Sequence, residues 1–189
     1  MRFLAPARFR AFVRLRSWAL LTLLSLAFPA TLPAQLPSAR LTSIFPAGAQ
    51  AGTKVEVTIT GIDLDDVDRL WFSDSRITAT QKMTPPGEFE PEPNPVPNTF
   101  EVTIPADIPV GAVECRAIGR FGVTNPRFFA ISRRSELKEP GGNNKPAAAA
   151  DLPLESIING RLEPSSVDYY RVHLVAGQSI VIESWAGRI

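Results

Sequence analysis

The fold of this protein is decided by residues 41–64, which read LTSIFPAGAQAGTKVEVTITGIDL. The central part of this stretch alternates strictly between polar and apolar side chains, with Val55, Val57 and Ile59 on one face. A period of two is typical of a strand that has one buried face and one solvated face. Gly61 closes the alternation and predicts the end of the strand.

Further short strands are expected along the chain, with Phe100 and Phe129 on the apolar side of two of them. Six or seven such strands, about ten residues apart and separated by turn residues, indicate an antiparallel sandwich. The 18 prolines disfavour long helices, because proline removes a backbone donor. The predicted fold class is all-β, with an immunoglobulin-like sandwich over residues 38–134. Residues 84–98 hold six prolines and three glutamates, a composition that predicts an extended surface loop.

Residues 135–151, SELKEPGGNNKPAAAAD, are predicted to be a linker because they are rich in glycine, asparagine and proline. A second β domain is expected over residues 152–189. Its last part, DYYRVHLVAGQSIVIESWAGRI at 168–189, reads as two strands joined by a glycine turn. A lone hairpin is marginal in water. The sequence therefore predicts a fragment, with the partner strands lying beyond Ile189.

The first 34 residues read as an export signal that ends at Ala34. They hold five arginines and no acidic residue, followed by the apolar stretch WALLTLLSLAF at 18–28. Eleven residues fall short of the roughly 20 that span a bilayer, so cleavage is favoured over an uncleaved anchor. We expect export by the general secretory route to the periplasm, the cell surface or the exterior, with no stable membrane span after cleavage.

The formal net charge of +1 changes sign once this segment is removed. The remainder carries 15 Lys and Arg against 19 Asp and Glu, a net charge of −4. A mildly acidic chain offers no electrostatic footprint for nucleic acid. The expected partner is instead an unidentified extracellular protein or polysaccharide.

No catalytic constellation is visible in the sequence. A His-Glu-x-x-His helix, a Gly-x-Ser-x-Gly elbow and a phosphate-binding glycine loop are all absent. The single histidine, His173, has the exposed parity of its strand, and the single cysteine, Cys115, has the buried parity. One cysteine makes no intrachain disulfide. We predict no catalytic, cofactor or metal residues in this chain, which is therefore not expected to be an enzyme by itself.

Calcium is the one cofactor that the residues leave open. Hard oxygen ligands cluster in the segment GIDLDDVDRLWFSD, and calcium needs several of them. These ligands are Asp63, Asp65, Asp66 and Asp68. The EF-hand spacing fails there, so a solvated loop in which aspartates cap turns is the favoured interpretation.

Two tryptophans, Trp71 and Trp185, have polar-side parity in their local patterns. An exposed aromatic ring can stack on a sugar or on a peptide. The simpler alternative is partial burial under a neighbouring loop or under strands that this chain lacks.

Two families are resembled. Residues 40–132 resemble an immunoglobulin-like module of the IPT/TIG type, with a Pro-x-Gly turn at 46–48, a Gly-Thr pair at 52–53 and an alternating strand closed by Gly61. The segment INGRLEPSSVDYYRVHLVAGQSIVIESWA is similar to the first half of the bacterial pre-peptidase C-terminal domain. Its matching positions are Gly160, Asp168, Tyr169, Tyr170, Ala176, Gly177 and Gln178.

The second resemblance implies a jelly-roll-type β-sandwich, present here as its first half, and secretion-linked or surface-binding roles. Collagenase relatives of that domain bind calcium through Glu and Asn residues, and Glu139, Asn143 and Asn144 lie in the corresponding place. The second acidic residue expected beside them is absent.

The expected function is that of non-catalytic β-sandwich modules in an exported bacterial multidomain protein, acting as spacer, adhesion or substrate-binding region. The alternative is the accessory N-terminal part of a secreted hydrolase, a peptidase, whose catalytic domain lies beyond residue 189. A calcium-dependent binder is the third hypothesis.

Overall fold

A computed structural model describes residues 36–88, 91–162 and 164–186. Within these ranges, the residues from Pro37 onward belong to one compact unit. No helix in the described ranges has the length and apolarity needed to cross a membrane. The export signal expected over residues 1–34 lies outside the described residues.

Two β-sheets make up the larger part of this unit. The first has four antiparallel strands in the order β1-β3-β6-β5, which are Arg40–Phe45, Lys54–Ile62, Pro95–Thr103 and Thr78–Met83. The second has five strands, and its path β2-β9-β7-β4 consists of Gly48–Gln50, Arg127–Ser132, Gly111–Gly119 and Arg69–Phe72. Its fifth strand, β8 at Gly122–Val123, pairs with β7. The prediction of an all-β sandwich is confirmed.

The core lies between the two sheets and is built from the apolar faces of their strands. Val57, Ile59 and Phe100 come from the first sheet, and each is almost fully buried. Phe72 and Phe129 come from the second, and their rings meet edge to face with centroids 5.7 Å apart. Burying a side chain of this size stabilises the fold by roughly 1.5–3 kcal/mol. The apolar residues of the alternating stretch at 54–61 thus face the core of the sandwich.

The chain passes from one sheet to the other within the decisive stretch. Strand β1 ends at Phe45 in the first sheet, and β2 begins at Gly48 beside Ala130 in the second. A Cβ atom at Gly48 would lie 2.6 Å from the carbonyl oxygen of Ala130. This close approach explains why the turn ends in glycine.

The proline-rich loop is shorter than expected. Its last residues, Pro95 to Asn98, belong to β6, and Met83 pairs with Pro95. The prediction that all of residues 84–98 lie outside the sheet is wrong at this end. This part of β6 pairs only with β5, because the pairing with β3 begins at Thr99. One edge of residues 95–98 is therefore unpaired, and proline, which has no N–H to donate, is tolerated at such an edge.

The expected linker, residues 135–151, contains regular structure. Ser135–Lys138 forms β10, a 3₁₀ turn spans Pro146–Ala148, and Ala150–Asp151 forms β11. Strand β10 pairs in parallel with β12 at Ser156–Asn159, and β11 pairs in parallel with β13 at Tyr170–Arg171. The segment forms strands because β12 and β13, which come later in the chain, pair with it. The local composition of residues 135–151 does not indicate this pairing.

The hairpin expected over residues 168–189 forms in its turn, but its first strand is limited to Tyr170–Arg171 and the described part of its second strand does not form. The turn closes through a hydrogen bond from the Gln178 N–H to the Val175 carbonyl at 3.0 Å. Beyond Arg171 no described residue of this segment is in a strand, and Val181 and Ile182 are largely exposed. The alternation is present, but no described strand lies beside it to accept the apolar face.

Replacing Gly61 with alanine is expected to destabilise the sandwich by about 1–3 kcal/mol, because a well-packed site has to accept extra atoms. A Cβ atom there would lie 2.0 Å from the Arg40 carbonyl oxygen, so β1 would have to move. The midpoint of urea denaturation measures the change. Gly87→Ala is the matched control, since a Cβ atom at Gly87 meets nothing within 4 Å. Equal midpoints for the two variants would contradict the close packing of β1 on Gly61.

Candidate functional site

The outer side of the five-stranded sheet carries two exposed aromatic rings with charged side chains between them. We call this surface the aromatic face and define it by Trp71, Arg116, Glu114 and Phe128. Trp71 of β4 stands opposite Arg116 of β7, and Glu114 of β7 stands opposite Phe128 of β9. Strand alternation puts all four on one side, because their neighbours in sequence point into the core.

Both rings are accessible to solvent. Trp71 is 46% exposed and Phe128 is 44% exposed. The prediction that Trp71 lies on the polar side of its strand is confirmed, whereas Trp185, 37% exposed, lies outside the sheets. Phe128 was not among the residues expected to be functional, although strand alternation next to the core residue Phe129 places it on the outer face.

The charged groups of the aromatic face are held in place by hydrogen bonds. Arg116 donates from Nη1 to the Thr124 carbonyl at 3.2 Å and from Nη2 to Glu114 Oε2 at 3.3 Å. The Glu114 N–H donates to Ser73 Oγ at 3.0 Å. The side chains of Arg116 and Glu114 are 33% and 40% exposed, so both lie along the sheet rather than projecting from it. The surface between the rings is therefore polar, shallow and ordered.

The margins of this surface are apolar at one end and slightly concave at the other. Val123 pairs with Ile118 beside Arg69, and Val123 is largely exposed. Next to Phe128 lies a hollow of about 60 Å³ at the edge between the two sheets. Its lining residues are Thr42, Ser43, Ile44, Ala47, Arg127 and Phe128.

The outer side of the four-stranded sheet has a different character. A shallow depression of about 340 Å³ lies there, lined by Glu56, Thr80, Gln81, Lys82, Met83 and Glu101. Lys82 Nζ donates to Glu56 Oε2 at 2.6 Å, and Lys54 Nζ donates to Glu101 Oε1 at 2.8 Å. The hydrogen bond and charge of Lys82 lower the pKa of Glu56. The charges of this surface are paired with each other, and no aromatic ring lines the depression.

The aspartates of the first calcium candidate serve the loop between β3 and β4. Asp63 Oδ2 accepts the Ser38 N–H at 2.9 Å, and Asp66 lies 3.7 Å from Arg120 Nη1. Asp63 and Asp66 both have positive φ angles, which Asp tolerates in turns. Among the residues that the structure describes, no group of three His, Cys, Asp or Glu side chains is arranged to hold a metal ion.

The second calcium candidate is used as a structural clamp. We define the Glu139 clamp as Glu139 with Asn143, Arg161 and Tyr170. Glu139 Oε1 accepts the Tyr170 hydroxyl at 2.5 Å and Asn143 Nδ2 at 3.0 Å, and Oε2 accepts the Arg161 N–H at 3.2 Å. The structure thus brings Glu139 and Asn143 together, while Asn144 is exposed. The carboxylate oxygens face protein donors.

The pKa values of the clamp reflect this arrangement. Burial acts to raise the pKa of Glu139, but the hydrogen bonds from Tyr170, Asn143 and the Arg161 N–H outweigh it and lower the pKa. Burial, together with the hydrogen bond to Glu139, raises the pKa of Tyr170 to about 12. The clamp therefore holds an ionised carboxylate against a neutral phenol.

The single histidine and the single cysteine take no part in the surfaces described above. The His173 side chain is 79% exposed, as predicted, although it lies outside a strand, and its Nε2 is 3.4 Å from Asp151 Oδ1. Cys115 is fully buried, as predicted, and burial raises the pKa of its thiol to about 12. Neither residue is placed for nucleophilic or acid–base chemistry with the other.

No protein-family model matches this chain, and no curated protein does. Among solved structures, it is similar to a protein described as Bacteroides ovatus mixed-linkage glucan utilization locus (MLGUL) SGBP-B, in complex with a mixed-linkage heptasaccharide. The identity is 16% and the TM-score is 0.35, over 64% of this chain and 27% of the other. Similarity at this level assigns neither a family nor a ligand, and the two resemblances noted in the sequence stay predictions.

Because Cys115 is buried and its thiolate is disfavoured, a colourless disulfide reagent such as 5,5′-dithiobis(2-nitrobenzoate) is expected to react with it only after unfolding. The absorbance at 412 nm should stay near baseline in buffer at pH 8 and reach one thiol per chain in guanidinium. A full reaction within minutes in buffer would contradict the burial of β7 against the core.

Replacing Glu139 with glutamine is expected to lower the free energy of unfolding by about 1 kcal/mol at pH 7, after allowance for solvent screening of a partly exposed group. The folded pKa lies below the unfolded value of 4.5, so the stabilisation is present above that value and is lost as pH falls through the folded pKa. The difference in Tm between the variant and the parent should therefore shrink in acid. Glu88→Gln, an exposed loop change, is the control. A difference that stays constant with pH would show that Glu139 acts through packing alone.

Proposed function

We propose that this chain is a non-catalytic binding module that attaches an exported bacterial protein to an extracellular ligand through its aromatic face. The all-β sandwich supplies the rigid frame, and strands β4, β7 and β9 present the binding groups. This is the substrate-binding or adhesion role among those that the sequence left open. Side chains on strands are held more precisely than side chains on loops, which suits a preformed site.

The observation that carries this proposal is the exposure of Trp71 and Phe128 on one flat sheet surface. Single exposed apolar residues are ordinary on soluble proteins. Here two large aromatic rings on one sheet face are exposed to water. Between them, Arg116 and Glu114 are held in place by a hydrogen bond. Because exposed aromatic rings can stack on a sugar or on a peptide, we take this surface as the binding site.

The compartment is part of the same proposal. An export signal over residues 1–34, cleaved at Ala34, delivers the module to the periplasm, the cell surface or the exterior, where proteins and polysaccharides are the abundant partners. The net charge of −4 without that segment supports neither nucleic acid nor anionic membrane as partner. The resemblance of residues 160–178 to the pre-peptidase C-terminal domain supports a role beside other modules of an exported protein.

Replacing Trp71 with alanine is expected to reduce retention on the insoluble ligand at least tenfold, because an aromatic anchor typically contributes about 1.4 kcal/mol or more. The measurement is the bound fraction of purified protein after sedimentation with cellulose, chitin, peptidoglycan sacculi and collagen fibrils. Trp185→Ala, which removes an exposed tryptophan outside the sheets, is the matched control and should bind as the parent does. Equal retention of both variants on every material that the parent binds would contradict the proposed site.

A further inference from the structure

The spacing of the two rings of the aromatic face indicates an elongated ligand. Trp71 and Phe128 lie on strands separated by β7, and their rows are offset by two residues, since Trp71 is opposite Arg116 and Phe128 is opposite Glu114. Two strand spacings and a two-residue offset place their Cα atoms about 12 Å apart, which favours a chain-like ligand over a single small ring. A ligand that contacts both rings therefore has to reach across three strands.

The groups between the rings match the chemistry of a polyhydroxylated chain. The Arg116 guanidinium has five N–H donors, and its bonds to Thr124 and Glu114 leave others free for a ligand. The Glu114 carboxylate offers acceptor sites beside it. Sugar rings present C–H faces, which pack on aromatic rings, and hydroxyls, which both donate and accept hydrogen bonds. The sequence of ring, donor, acceptor and ring therefore fits consecutive sugar units.

The charge of the surface favours a neutral chain. Arg116 is paired with Glu114 at 3.3 Å, and Arg69 at the margin is 3.9 Å from Asp68. Arg127, which lines the hollow beside Phe128, donates to the Leu41 carbonyl and forms no ion pair with a described carboxylate. A single unbalanced positive charge is only a weak attraction for an anionic polymer. A second copy of this chain fits poorly, because a dry interface would desolvate the Arg116–Glu114 pair. A sugar chain, in contrast, replaces lost water with its own hydroxyls.

We propose that the aromatic face binds a neutral polysaccharide chain, laid obliquely across β4, β7 and β9 from Trp71 to Phe128, with Arg116 and Glu114 hydrogen-bonding its hydroxyls. This inference rests on the proposed function and names the ligand class of the same site. The hollow beside Phe128 receives a water or a hydroxymethyl group at the end of the bound segment.

The test uses the purified protein in native affinity electrophoresis and titration calorimetry. The neutral probes are hydroxyethylcellulose and galactomannan, and the anionic probe is alginate, each at 50 and 500 mM NaCl. A neutral probe is expected to bind with less than a twofold change in Kd between the two salt concentrations, because no ion pair forms. Trp71→Ala and Phe128→Ala should each weaken binding of the neutral probe at least tenfold. Disaccharides of the bound polysaccharide should bind at least tenfold more weakly than its hexasaccharides. Trp185→Ala is the control.

The other outcomes separate the ligand class from the proposed function. Binding of alginate alone, lost at high salt, would overturn the neutral polysaccharide and leave the binding face in place. Retention on collagen that depends on Trp71, with no polysaccharide bound, would do the same and assign a protein ligand. Polysaccharide binding that neither ring variant weakens would overturn the site. Absence of any retention that depends on Trp71 would overturn both proposals.

Discussion

The packing of Phe72 against Phe129 determines the character of both sides of the five-stranded sheet. The two rings meet edge to face in the core, one from β4 and one from β9. Because successive side chains of a strand point to opposite faces, the residue before each core phenylalanine must lie outside. Those residues are Trp71 and Phe128. One core contact therefore fixes where the two exposed rings stand, and the rigidity of the candidate site derives from the stability of the sandwich beneath it.

A second set of interactions joins the chain after residue 134 to the sandwich. Glu136 accepts the Ser132 hydroxyl at 2.7 Å and Asn159 Nδ2 at 2.8 Å, and Asn159 Oδ1 accepts the Ala47 N–H at 3.1 Å. Arg161 then places its guanidinium 4.4 Å from the centre of the Phe45 ring. These contacts are polar and cation–π contacts, so they order the beginning of the C-terminal part without burying much of its apolar surface. Val181 and Ile182 accordingly stay exposed.

The residues around Glu139 show how the fold gives a structural role to a motif that the sequence marks only by resemblance. Glu139 and Asn143 do come together, as the resemblance to collagenase relatives implied. In this fold the Glu139 oxygens accept hydrogen bonds from the Tyr170 hydroxyl and the Arg161 N–H. The same residues serve to connect three segments of the chain.

The sequence by itself determined the sandwich class, the inward positions of Phe100, Phe129 and Cys115, and the outward position of Trp71, because strand alternation is a local property with a period of two. Only the tertiary structure decided which strands are neighbours. That long-range pairing put Phe128 and Trp71 on one surface, drew residues 95–98 into β6 and ordered residues 135–138 against 156–159. Partners distant in the chain leave no trace in local composition, so these features follow from the fold alone.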